Sequence, residues 1–166
     1  MTTPRFTITR HFAAPRARVW AAWTQPEQLA RWFGPKGSEG SILAFDLRPG
    51  GEWRGRMETP EGAAMFSKFV FREVSPPQRL VWVHGFADEG GNRIRAPFAP
   101  LFPLELLTTV DFAEDGAGTR ITLSWEPLDA TAEEEAFFAS MMASMEGGWG
   151  GSFDQLDELL ADQSSI

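Results

Sequence analysis

Residues 131–160 read TAEEEAFFASMMASMEGGWGGSFDQLDELL. Phe137, Met141, Met145, Trp149, Phe153, Leu156 and Leu160 recur in it at steps of three or four, the spacing that lines up one face of an α-helix. The stretch predicts a single helix of about seven to eight turns. Thr131 or Asp129 is placed to cap it, and Glu133, Glu134 and Glu135 fall in the first turn, where the helix dipole favours negative charge. Its interior breaks a local rule: Gly147, Gly148, Gly150 and Gly151 flank Trp149, and glycine costs roughly 1 kcal/mol relative to alanine inside a helix. The expectation is that they keep the helix low beside Trp149, either for close contact with a sheet or to leave room for a ligand.

Outward from this helix toward the N-terminus the period changes from helical to alternating. Strands are predicted over 41–48, 51–59, 64–74, 79–86, 105–113 and 119–126. Between them stand Pro49-Gly50-Gly51, Pro60-Glu61-Gly62, Pro76-Pro77 and Asp115-Gly116-Ala117-Gly118. Each is turn chemistry, and such short gaps imply antiparallel hairpins. The gap at 87–103 is longer and holds Pro97, Phe98, Pro100, Leu101, Phe102 and Pro103, which reads as a loop with an apolar tip, a candidate lid. Further back, residues 5–12 alternate as a strand with Phe6, Ile8 and Phe12 on one face and Arg10 as the exception. Pro15 suits the first position of a short helix carrying Val19, Trp20 and Trp23. A second short helix starts at Pro26, presents Leu29, Trp32 and Phe33, and stops at Gly34-Pro35. The order is β-α-α-β-β-β-β-β-β-α, an α+β fold with about seven strands.

A chain of 166 residues with 43% apolar content suits one domain, assigned to residues 1–162 with 163–166 as a tail. The start, Met1-Thr-Thr-Pro-Arg, has no apolar signal region, and no stretch is long and apolar enough for membrane insertion, so a cytoplasmic location is expected. The net charge of −8 is uneven. Residues 121–166 hold ten acidic residues and no Lys or Arg, while residues 1–36 carry six basic residues against Glu27. That balance suits complementary packing within the fold or between subunits, as in a homodimer. It is too sparse a basic footprint for nucleic acid.

The chemistry-bearing residues are few. There is no cysteine, and the two histidines, His11 and His84, lie far apart with no metal-ligand spacing, so no metal and no cofactor are expected. No Gly-x-Ser-x-Gly elbow is present, and the glycines around Trp149 lie in a helix interior rather than in a phosphate loop. No catalytic residue is assigned; His84 is the one candidate, because alternation in RLVWVHGF sets it on one face with Leu80, Trp82 and Phe86. Glu73 and Arg79 read as a structural pair across Pro76-Pro77. The alternation and the helical stripe together nominate the lining of an apolar ligand cavity: Trp53, Met57, Phe69, Trp82, His84, Phe86, Thr108, Val110, Met141, Met145 and Trp149. Leu123 and Trp125 share the same strand face.

With the order of elements legible, five segments carry a resemblance: RHFAAPRARVWAAWTQPEQLARWFGP (10–35), DLRPGGEW (46–53), FREVSPPQRLVW (71–82), TTVDFAEDGAGTRITL (108–123) and GGWGGSFDQLDELL (147–160). In this order the chain resembles the SRPBCC (START/Bet v 1-like) superfamily, in the branch of activator of Hsp90 ATPase homologue 1-like proteins. The resemblance implies a helix-grip fold, a curved antiparallel sheet wrapped around a long C-terminal helix with a hydrophobic cavity between them. Members include carriers, receptors, cyclases, oxygenase subunits and chaperone regulators, so the fold does not name a function. The first expectation is non-enzymatic binding of a small hydrophobic or aromatic molecule. The alternatives are a cyclase- or hydratase-like enzyme using the cavity, and a protein-interaction or chaperone-regulating module. An Hsp90-type chaperone is not the expected partner, because the chain has no room for the separate Hsp90-binding domain of the eukaryotic co-chaperone.

Overall fold

The computed structural model describes residues 3–33, 39–58, 61–96 and 99–164. Seven antiparallel strands form one sheet: β1 (Phe6–Phe12), β2 (Glu39–Phe45), β3 (Glu52–Glu58), β4 (Ala64–Ser75), β5 (Arg79–Ala87), β6 (Leu106–Asp115) and β7 (Gly118–Pro127). Their order across the sheet is β1-β7-β6-β5-β4-β3-β2. Strands β2 to β7 are joined to their sequence neighbours, as hairpin-length turns require. The crossover is confined to β1, which pairs with β7 and leaves β1 and β2 as the two edges. Gly50, Gly62 and Gly116 take positive φ in the turns, where a side chain would be strained. Gly85 is required for a different reason: a Cβ there would collide with the carbonyl oxygen of Leu104, which the chain lays against β5.

Register fixes which side chains share the concave face. Residues directly opposite across antiparallel strands point the same way, and the pairs run Ile8↔Leu123, Thr108↔Trp125, Trp82↔Thr108, Phe71↔Trp82, Phe69↔His84 and Trp53↔Phe69. This row faces the helices. The two short helices, α1 (Arg16–Thr24) and α2 (Pro26–Trp32), follow β1 and bury Val19, Trp23, Leu29 and Trp32. Pro15 sits one place earlier than expected, as the cap residue before the first turn. The helix α2 ends at Trp32 with the Phe33 amide bonded to Leu29 O; the expected stop at Gly34-Pro35 lies outside the described residues.

The C-terminal stretch departs from expectation in one respect. It is two helices, α3 (Ala132–Ser140) and α4 (Met142–Ser164), because Met141 leaves helical geometry with φ −100° and ψ 4°. The break re-phases the apolar stripe: Phe138 is fully buried, whereas Phe137 is half-buried against Phe102. Thr131 caps α3 through a reciprocal box, its hydroxyl accepting from the Glu134 amide and the Glu134 carboxylate accepting from the Thr131 amide. That carboxylate also pairs with Arg95, tying the long loop to the start of α3. The helix α4 extends to Ser164 and so takes in two residues assigned to the tail. It buries Met145, Trp149, Phe153, Leu156, Leu159 and Leu160 against the sheet and α1–α2, at about 1.5–3 kcal/mol for each large apolar side chain removed from water.

Candidate functional site

The concave face and the helices meet in a group of aromatic rings. Trp53 and Phe69 stack across β3 and β4 with centroids 3.9 Å apart. Trp53 meets Trp82 edge-on at 5.4 Å. Trp82 contacts Trp23 on α1 (6.1 Å), Trp23 contacts Trp149 on α4 (6.2 Å), and Trp149 contacts Trp125 on β7 (5.7 Å). Trp125 touches the His84 imidazole at 5.2 Å, and His84 stacks on Phe69 at 5.1 Å. The seven rings therefore form a closed circuit around the middle of the molecule. Phe33, at the end of α2, lies across it, 5.0 Å from Trp53, 5.9 Å from Phe69 and 5.5 Å from Trp149.

The polar atoms of this group are unusual. The indole N–H of Trp32 donates to Ala22 O at 2.8 Å, the arrangement a buried indole normally finds. The indole nitrogens of Trp23, Trp53, Trp82, Trp125 and Trp149 are buried and meet no acceptor among the described residues. A buried donor left unpaired costs about 1–3 kcal/mol, so each is a place where an acceptor would be favoured. His84 Nδ1 and Thr108 Oγ1 lie 3.2 Å apart in a hydrogen bond whose direction follows the ring tautomer. The imidazole keeps a little exposed edge, yet protein surrounds it closely. Burial first, and then the positive charge of Arg93, lower its pKa to about 3. A neutral ring of such low basicity suits hydrogen bonding better than proton abstraction at neutral pH.

Beside the circuit, a recess of about 40 Å³ opens between α2, β2, β3 and β4. Gly55 faces Ser67 across the β3–β4 register, between the Trp53–Phe69 and Met57–Met65 pairs, so the concave face lacks bulk at that point. Gly40, Ser41 and Ala30 line the same spot with equally small side chains, and Phe33, Trp53 and Phe69 form its apolar wall. The volume is room for about one water. The recess is thus smaller than the expected ligand cavity, because the indole and phenyl rings nominated as walls pack against one another.

The sequence profile of the family described as activator of Hsp90 ATPase homolog 1-like protein matches residues 13–161. The chain belongs to that family. Among solved structures similar to this chain, the protein Ms6760 of Mycobacterium smegmatis is 31% identical, with 95% of this chain and 91% of that one covered and a TM-score of 0.78. A protein from Arthrobacter aurescens is 29% identical over 95% of this chain and 86% of its own, with a TM-score of 0.79. The AHSA1 protein of Silicibacter pomeroyi, at 22% identity, 96% and 99% coverage and a TM-score of 0.73, shares the fold. No curated protein matches the chain. The family's fold commonly binds hydrophobic ligands.

Within this chain the nominated residues do not all converge. Trp53, Phe69, Trp82, His84 and Trp149 come together in the ring circuit, and Thr108 joins them through His84. Val110 and Met145 are buried in the surrounding core. Met57 borders the recess, Met141 marks the helix break, and Phe86 lies farther along β5 against Phe102. Trp32, on the second short helix, is 1% exposed and packs 4.7 Å from Trp23. Of the candidate lid, Pro97 and Phe98 lie outside the described residues, while Phe102 packs on Phe86 and Phe137. The glycines of α4 do not serve close contact: a Cβ at Gly147, Gly148, Gly150 or Gly151 would meet no atom within 4 Å.

Sequence reasoning missed Trp23 and Phe33 as parts of the site, having placed both only on short helices. The signal was present in the aromatic spacing of WAAW and RWF, but which way those helices turn is a tertiary matter. It also passed over Gly55 and Ser67, whose small size between large neighbours is the mark of the recess. Glu73 and Arg79 approach to 4.0 Å, with Asp111 3.7 Å from the same guanidinium, all half-exposed and away from the circuit. Among the described residues, no group of three or more His, Asp or Glu could hold a metal ion, and no helix is long and apolar enough to cross a membrane.

Proposed function

We propose that this protein binds a small apolar or aromatic molecule between its sheet and its helices, against the Trp53–Phe69–His84–Trp82 wall. The observation that carries the reading is the closed circuit of rings with Phe33 lying across it and a recess beside it. A core that served stability alone would gain nothing from five unpaired indole donors. Gly55 and Ser67 form the entrance, and Phe33 is the ring that yields. It is half-buried and stands at a helix end rather than on the sheet or α4, so it moves at the least cost to the rest of the core. Met57, Met65 and Met145 add flexible apolar surface around the enlarged space. Thr108, Val110 and Trp149 complete the lining as the rings part.

The test is titration with the uncharged fluorescent probe N-phenyl-1-naphthylamine. Saturable binding with quenching of tryptophan emission is expected. Gly55→Val should weaken it at least fivefold while leaving the melting temperature nearly unchanged, since a Cβ at residue 55 meets only Ser41 O at 3.8 Å. Failure of the folded wild-type protein to bind the probe would overturn the proposal. Binding indifferent to Gly55→Val would remove the recess as the entrance.

A further inference from the structure

We infer that the interior of this protein selects uncharged molecules bearing hydrogen-bond acceptors, such as a carbonyl or ether oxygen on an aromatic skeleton, over hydrocarbons, acids and amines of the same shape. The inference rests on the proposed binding site and adds the chemical class of what enters it. An indole nitrogen can only donate. Five such donors, on Trp23, Trp53, Trp82, Trp125 and Trp149, belong to rings in unbroken contact, and none finds an acceptor among the described residues. The unmet demand of the interior is for acceptors. A ligand oxygen meeting even one or two of these N–H groups recovers hydrogen bonds that the protein alone leaves unmade, whereas a hydrocarbon of equal size recovers none.

The same surroundings offer little to a charged ligand. Among the described residues, the ionised side chains around the core have partners: Arg56, which lines the recess, reaches Glu58 at 3.3 Å, and Arg18 donates to Leu160 O at 2.7 Å. Arg10 donates to Asp154 and Asp157, at 2.6 and 2.9 Å. Arg93 donates to Lys68 O at 2.6 Å and to Glu105 at 3.1 Å. Glu134 is held by the Thr131 amide and by Arg95. His84, with its Nδ1 at Thr108, is neutral. Past Arg56 at the recess, whose charge Glu58 already meets, an anion would face the negative faces of the rings, in a protein of net charge −8. A cation would find those faces attractive, but it would also meet five N–H groups with their positive ends unshielded.

Four naphthalenes of one shape test this: 2-ethylnaphthalene, 2-acetylnaphthalene, 2-naphthoate and 2-naphthylmethylammonium. Affinities come from calorimetry, and the indole N–H resonances are followed in a ¹H–¹⁵N spectrum of the full chain. The acetyl compound should bind at least tenfold more tightly than the ethyl compound and more tightly than either ion. It should shift one or more of the Trp23, Trp53, Trp82, Trp125 and Trp149 indole resonances downfield, while that of Trp32, already bonded to Ala22 O, stays in place. Single Trp→Phe changes at those five positions keep an aromatic ring and remove the donor. At least one should abolish the preference for acetyl over ethyl while ethyl binding survives, and Trp32→Phe should not. Equal affinity for the ethyl and acetyl compounds, or unmoved indole resonances on acetyl binding, would overturn the inference and leave the proposed binding site standing. Tightest binding of either ion would overturn it as well. Absence of binding by all four would overturn both.

Discussion

The two ends of the concave face are closed in different ways. At the β1 end α4 is locked down: Phe12 meets Phe153 edge-on at 5.3 Å, Arg10 reaches Asp154, Asp157 and Gly150 O, and Arg18 donates to Leu160 O at 2.7 Å. At the β2 end the cover is α2, a helix of seven residues, and beneath it Gly40, Ser41, Gly55 and Ser67 leave the recess. One end combines tight apolar packing with ion pairs. The other has small side chains and a single ring, Phe33, spanning the gap. Stability and access are thereby assigned to opposite edges of one sheet, which lets an interior admit a guest without loosening the grip of the long helix.

The largest effect that could break this contrast comes from truncating a ring at each end. Phe153→Ala, at a fully buried site, should cost about 3–5 kcal/mol by denaturant unfolding, and Phe33→Ala roughly half of that or less. The second variant should also bind N-phenyl-1-naphthylamine more tightly than wild type, because it enlarges the recess. If Phe33→Ala proves as damaging as Phe153→Ala, the two ends are equally closed and the contrast fails.

The next effect concerns the ring that lies between the two ends. His84 has a folded-state pKa of about 3 against an ordinary value of 6.5. Above pH 6.5 it is neutral folded or unfolded and contributes no pH dependence. Between 6.5 and 3 the unfolded chain takes up a proton that the folded protein refuses, so stability falls on acidification by up to about 1.4 kcal/mol per pH unit. His84→Gln should flatten the profile in that window relative to wild type. Equal slopes in the two proteins would show that the imidazole is not held neutral by its surroundings.

The smallest effect lies on α4. Gly147 and Gly148 are exposed, and a methyl group at either meets nothing within 4 Å. Gly147→Ala and Gly148→Ala should each stabilise the protein by about 0.5–1 kcal/mol through helix propensity and a less flexible unfolded chain, with probe binding unchanged. Destabilisation by either variant would mean that this part of the helix needs a freedom which the locked C-terminal half does not.

These contrasts were legible in the sequence to different degrees. Alternation in RFTITRHF and RLVWVHGF was enough to place β1 and β5 and the faces they present, because a period of two survives any tertiary context that keeps the strand. The misfit of Arg10 on an apolar face was visible too, and its partners Asp154 and Asp157 explain it. The break at Met141 was not legible: FFASMMAS is an unbroken helical pattern, and only the turn of the chain onto the sheet interrupts it. The filled interior was equally hidden. Periodicity reports which side chains face inward, whereas the space left among them depends on how rings from six different elements interlock.

The ring circuit has a consequence for how the molecule interacts with light. Trp23 and Trp149 lie 6.2 Å apart with their planes 14° from parallel, and Trp53 stands edge-on to Trp82 at 5.4 Å. Chromophores this close share their excitations, so their far-ultraviolet transitions split into paired bands of opposite sign that overlie the helical dichroism. Helix content read from that spectrum alone would be distorted. The same splitting is an intrinsic optical gauge of the interior: it depends on mutual ring orientation, and any guest that parts Trp53 from Trp82 alters it without a label.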